Sequence, residues 1–235
     1  MDNKLSYDLI IVMQFVIFEI IYSCGVGLVL GSSIMFIGKI MDITISNKEY
    51  IHIIENHFDL YNEAESSIKT NLLLITPVTY SIVTTTILDK TTIHIDPVKT
   101  MLLILLHNFG YYVIHRIMHT YPSLYKYHSF HHRFDNILTP SIGNAVSKTE
   151  FLTAYVAPMI LSSYIVKCNE PTFVLSIGLI SLFNLFIHCM ELHSVWWLPI
   201  FVSPKNHYEH HKERNKHYSA SIINYDLIFE KKHKD

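Results

Sequence analysis

The sequence predicts an all-α integral membrane protein, with about four to five transmembrane helices and a histidine-rich helical cap on one face. Two observations carry this. Half of the 235 residues are hydrophobic and only 16% are charged, where soluble domains run closer to a quarter charged. The apolar residues fall in runs of bilayer length, and the histidines crowd at the ends of those runs. The net charge of −2 gives no basis for a nucleic-acid partner. The three cysteines, Cys24, Cys168 and Cys189, form no CxxC and imply no disulfide framework.

The first run, Leu9 to Gly38, is broken only by Gln14 and Glu19 among amide and charged residues. It reads as one long tilted span rather than two half-length helices turning at SCGVG, residues 23–27. It is too long for a signal-peptide core. Gly27 and Gly31 form a GxxxG step, which marks close helix packing. Glu19 inside the run calls for a polar contact to a neighbouring helix. The 39–70 stretch is polar and reads as a surface connection with a short amphipathic helix.

Four further runs follow: Asn71–Leu88, Val98–Met118, Phe151–Val166 and Thr172–Met190. Pro77 is placed to kink the first of these. The last two are joined by KCNEP, residues 167–171, a polar turn whose proline starts the next helix. They form a helical hairpin. Residues 1–70 are thus an N-terminal membrane helix and polar connection, and 71–235 a second membrane domain.

The chemistry lies in a repeat. HSFHH at 128–132 recurs as HYEHH at 207–211, both HxxHH, and HRIMH sets His115 and His119 one helical turn apart. Of 16 histidines, 12 lie between 107 and 217. Neutral imidazole binds iron, zinc and copper well. Eight histidines in three blocks exceed the needs of one four- to six-coordinate ion, so the pattern points to a dimetal centre. The sequence has no HExxH, and the histidine blocks contain no Glu-x-x-His, against a metalloprotease or a carboxylate-bridged di-iron bundle. A structural zinc site, or a divalent-metal transporter, stands as the alternative. A transporter would set its ligands near the bilayer midplane, whereas these lie at helix ends.

HxxxH followed by two HxxHH blocks among membrane spans resembles the fatty acid hydroxylase superfamily, which includes sterol desaturases, C4-methylsterol oxidases and cholesterol 25-hydroxylase. The resemblance covers roughly residues 70–230. YKYHSFHHRFDNILTPSIGNAVSKTE resembles the stretch around the second histidine box, with Glu150 at the acidic position. ELHSVWWLP, SPKNHYEHH and NYDLIF resemble further elements, the last keeping Asp226. The first 70 residues carry no such signal.

The resemblance implies metal ligation by His115, His119, His128, His131, His132, His207, His210 and His211. His188 matches an additional histidine of the desaturase branch and His193 one of the methyl oxidase branch. These two stand 140° apart on a continuous helix, so either the helix ends between them or one only supports a ligand. Asn108 replaces the acidic residue usual seven positions before the first box, and either lines a substrate pocket, with Tyr111 and Tyr112 as aromatic walls, or bonds another helix. His107 reads as an interhelical hydrogen bond. His217 replaces a usual asparagine, as an extra ligand or a proton relay. His52, His57, His94 and His233 read as surface residues.

The resemblance further implies two iron ions, with zinc possible in purified protein, and O2-dependent hydroxylation or desaturation of a sterol or fatty acyl chain that enters from the bilayer. Electrons would come from a donor such as cytochrome b5 or its reductase. The polar ends of the spans gather Arg116, Lys126, Arg133, Lys148, Lys205, Lys212, Arg214 and Lys216 on one side, which the positive-inside rule puts in the cytosol. The tail KKHKD resembles a dilysine retrieval signal of the endoplasmic reticulum, with altered spacing.

Overall fold

The structure is a computed structural model that describes residues 2–195 and 197–229. The tail KKHKD, Glu230, Lys231 and His233 lie outside the described residues, as does Trp196. Among the described residues the chain is helical, with only isolated β-bridges. The first apolar run is a single helix, α1 (Asp2–Thr44), unbroken at SCGVG. After α2 (Asn47–Asn56) and α3 (Phe58–Lys69), a π-helical turn at Thr70–Ile75 leads into α4 (Thr76–Thr86) without interruption. Position 70 therefore falls inside one continuous helical rod. Next come α5 (Pro97–Thr120), α6 (Pro122–His128), α7 (Lys148–Val166) and α8 (Glu170–Ile187). The short α9 (Pro204–Glu213) and α10 (Asp226–Phe229) close the cap.

Four helices among the described residues are long and apolar enough to cross a membrane: Ile10–Thr44 of α1, then α5, α7 and α8. The helical segments run on through Pro77 without a break. A proline in a helix lacks an N–H and its ring presses on the carbonyl four residues back. The π-helical turn just before Pro77 widens the ladder there, and the Thr76 hydroxyl donates to the Asn71 carbonyl at 3.0 Å. The same device precedes Pro158, where Phe151–Val156 of α7 is π-helical. The hairpin turn is built as the KCNEP stretch requires. Lys167 takes a left-handed conformation, and the Asn169 side chain accepts from the Thr172 N–H at the start of α8.

The GxxxG step sets α1 against the rod. A Cβ on Gly31 would stand 2.0 Å from the Leu72 carbonyl oxygen, and one on Gly27 2.8 Å from the Pro77 Cα. Ser23 donates to Ser81 at 2.8 Å along the same seam. Glu19 finds its polar contact in the loop after α4, where Lys90 lies 2.5 Å away.

The 39–70 stretch forms two amphipathic helices, α2 and α3, whose apolar faces are packed into the core. Ile53, Ala64 and Ile68 are buried in one core with Phe134, Ile137 and Ile142 of the second histidine segment. Ala64 and Ile68 recur at helical spacing among acidic residues, so a polar average composition hid an apolar face. The charges are also engaged. Asp42 is buried and accepts from both the backbone N–H and the hydroxyl of Ser141. Lys39 pairs with Glu65 at 2.5 Å, and Arg133 donates two hydrogen bonds to Glu63.

Replacing Gly31 with valine should drive α1 off the rod and cost about 1–3 kcal/mol, read as a lowered unfolding temperature in detergent. Unchanged stability would mean that the close approach at Leu72 is not required.

Candidate metal centre

The histidine blocks converge at one end of the spans. His115 and His119 stand at the C-terminal end of α5, and His128 ends α6. His131 and His132 begin a 3-10 turn (His131–Ile137), His188 caps α8, and α9 carries His207, His210 and His211. Their ring nitrogens form two groups, His115–His119–His128–His132–His210 and His131–His188–His207–His211, with ligand atoms within 4.8 Å of one another inside each group. Eight of the nine are buried, and His119 is half-buried.

Nine of the ten histidines expected as ligands thus come together. His193 does not. The helix ends at Ile187, a turn at Met190–Leu192 follows, and the half-buried His193 ring packs on Tyr208 with centroids 4.6 Å apart. His217 joins neither group; its Nε2 lies 3.5 Å from a Glu209 carboxylate oxygen. His52, His57 and His94 are exposed.

The outward nitrogens decide which face of each ring is free. The Nδ1 atoms of His115, His131, His188 and His210 donate to the carbonyls of Tyr218, Ala145, Asn184 and Lys216 at 2.7, 3.1, 2.6 and 2.7 Å. A carbonyl oxygen only accepts, so these four Nδ1 atoms carry the proton and each neutral ring has a bare lone pair at Nε2. His128 Nδ1 pairs with Glu150 Oε1 at 2.7 Å, and its Nε2 lies 2.9 Å from that of His115. His210 Nε2 is buried and has no hydrogen-bond partner at all. Buried acceptors without a donor are costly, and a cation is what such a cluster fits. All the donor atoms are imidazole nitrogens, which suits iron, zinc or copper.

Electrostatics favours the same form. Burial pushes the imidazolium of His131 down to about 4 and that of His188 to about 3. His128, His132, His207, His210 and His211 are also held well below the usual range, by burial first and by neighbouring imidazoles second. The rings stay neutral and able to ligate.

Asp135 is the functional residue that the sequence reading missed. Its Oδ1 accepts from His132 Nδ1 at 3.2 Å and from His211 Nδ1 at 2.7 Å, and its Oδ2 accepts from Arg214 at 2.8 Å. One carboxylate therefore orients one ring from each group. Burial raises its carboxyl to about 6, against the opposing pull of Arg214. The available signal was its place three residues after His132, one turn along the chain.

The other expected supporting residues act through backbone. Asp226 accepts from the Tyr218 and Ser219 N–H groups, fixing the turn whose carbonyl holds His115. The Asn108 side-chain oxygen accepts from the Ile222 and Ile223 N–H groups at 2.9 and 3.0 Å. It bonds the segment after the third box and does not line the cavity described next. Tyr111 packs on Tyr155 and His115, and Tyr112 stacks on Phe229.

Asn184, whose carbonyl holds His188, lines a largely apolar cavity of about 890 Å³, counting its open mouth, walled by α1, the rod, α5, α7 and α8. His107 lines it and also makes the expected interhelical bond, Nε2 to the Tyr155 carbonyl at 3.2 Å.

An all-helical membrane chain with paired polyhistidine groups against an apolar cavity defines a class, the membrane proteins whose histidine clusters can hold metal. The chain matches the family model described as Fatty acid hydroxylase over residues 100–231, more than half of its length, and it belongs to that family. The family implies an oxidoreductase, and with the four apolar helices it indicates an integral membrane protein. No curated protein and no solved structure matches the chain.

Two outcomes follow. Asp135→Ala removes the acceptor shared by His132 and His211, and should weaken metal binding by about 10–100-fold in chelator competition while helix content is retained; unaltered affinity would reject the orienting role. Asn108→Leu should leave two buried N–H groups without an acceptor and lower stability by roughly 1–3 kcal/mol in thermal unfolding, with the metals still bound. A variant as stable as the parent would show that those bonds are replaceable.

Proposed function

We propose that the protein carries out O2-dependent oxidation, hydroxylation or desaturation, of a membrane lipid at a pair of irons held by the two histidine groups. The observation that carries this reading is the set of inward-facing Nε2 lone pairs, fixed by outward N–H bonds and set against an apolar cavity at the membrane face. His115, His119, His128, His132 and His210 would hold one ion, and His131, His188, His207 and His211 the other. Bound there, the ions supply activation of O2 at the cost of two external electrons.

The chain's own residues do the rest. The carbonyls of Tyr218, Ala145, Asn184 and Lys216 hold ligand rings in one tautomer and one orientation. Glu150 and Asp135 hold further rings through their side-chain oxygens. Asn108 and Asp226 pin the C-terminal segment over α5. The apolar cavity wall excludes water and receives a sterol or acyl chain from the bilayer. The basic span ends favour a cytosolic catalytic face, in the endoplasmic reticulum, where cytochrome b5 or its reductase would deliver electrons.

Full-length protein expressed in a host membrane tests this. His119→Ala, His131→Ala and His210→Ala should each abolish O2-dependent formation of an oxidised lipid, while the protein remains membrane-bound because the apolar residues of the spans are untouched. Full activity in any of the three would contradict the ligand assignment.

A further inference from the structure

The polar atoms of the cavity are unevenly placed. Its deeper wall is apolar and aromatic, with Val83, Met159, Phe173 and Ile177. Asn144 and Asn184 are on its polar side, behind His188. The Asn184 backbone carbonyl is the acceptor for His188 Nδ1, and Gly143 sits so close to the His188 ring that a Cβ there would fall 2.3 Å from it. The two amides are paired, Asn184 Nδ2 donating to Asn144 Oδ1 at 3.1 Å. This leaves Asn184 Oδ1 buried, on the cavity wall, with no hydrogen-bond partner. Asn184 is only 3% exposed, so bulk water does not satisfy that oxygen.

We infer that Asn184 Oδ1 is the recognition point for the polar end of the substrate. A carbonyl oxygen only accepts, so the group it takes must donate. This selects lipids bearing a hydroxyl or an amide N–H. It disfavours an ionised fatty acid or an acyl ester, whose oxygens only accept and would face Asn184 Oδ1 lone pair to lone pair. The inference rests on the lipid-oxidation reading and deepens it, by naming the substrate class.

Binding separates the two. Purified full-length protein in nanodiscs is titrated with four probes of equal chain length: hexadecan-1-ol, hexadecane, palmitate and methyl palmitate. Hexadecan-1-ol should bind about tenfold more tightly than hexadecane or methyl palmitate, the worth of one buried hydrogen bond, and palmitate should gain nothing from its charge. Asn184→Leu should erase the preference for the alcohol. Asn184→Asp keeps an acceptor and should retain it, which distinguishes lost recognition from lost folding. Equal binding of alcohol, alkane and ester, or tighter binding of palmitate, would overturn the assignment. The assay requires no turnover. Absence of lipid oxidation in the membrane assay alongside an intact alcohol preference would therefore sink the enzymatic reading and leave this one standing.

Discussion

Nine imidazoles share one space at the end of the helix bundle, and all of them must stay neutral with a lone pair facing inward. That constraint organises the rest of the molecule. A buried imidazole satisfies only one nitrogen by donating to a fixed acceptor, so each ring needs its own acceptor outside the cluster. Four backbone carbonyls and the Asp135 carboxylate meet that need for six of the rings, and Glu150 pairs with a seventh, His128. The carbonyls come from irregular segments, at Ala145, Lys216 and Tyr218, and from the end of α8 at Asn184. Helix interiors cannot supply them, since their carbonyls are already engaged.

The irregular segments must themselves be held, and much of the surrounding structure does this. Ser67 and Asn71 both donate to the Val146 carbonyl, next to the residue that accepts from His131. Asp42 and Lys39 of α1 grip Ser141 in the same segment. The N-terminal helices are thus part of the platform under the second histidine block. On the far side, Asn108 and Asp226 fasten residues 218–223 and so set the carbonyl that holds His115. Asp135 joins the two groups to each other, and Arg214, one residue past α9, fixes Asp135. The supports form a set of polar bonds around the histidine cluster.

The fold class was legible in the sequence because it follows from run length and composition, which do not depend on packing. The ligand blocks were legible because HxxxH and the repeated HxxHH crowd histidines about one turn apart, but the division of each HxxHH between the two groups was not. Three things were not legible. The outward acceptors are mostly backbone carbonyls, and any residue type supplies a carbonyl; Lys216 and Ala145 carry no mark of their role. The packing of 39–70 was hidden because its buried residues, Ile53, Ala64 and Ile68, are few and lie among charges that pair internally. His188 and His193 looked equivalent because the sequence does not show where α8 ends. The break at Ile187 turns one ring into the cluster and leaves the other against Tyr208.

The central claim is that the two histidine groups are two metal sites. Elemental analysis of protein purified anaerobically and loaded with ferrous iron tests it most directly, together with the change in metal content when one group is disabled. The account predicts two ions per chain in the parent, and His188→Ala should lose one of them while the site built on His115 and His119 keeps its own. One ion or fewer per chain in the fully loaded parent would contradict it.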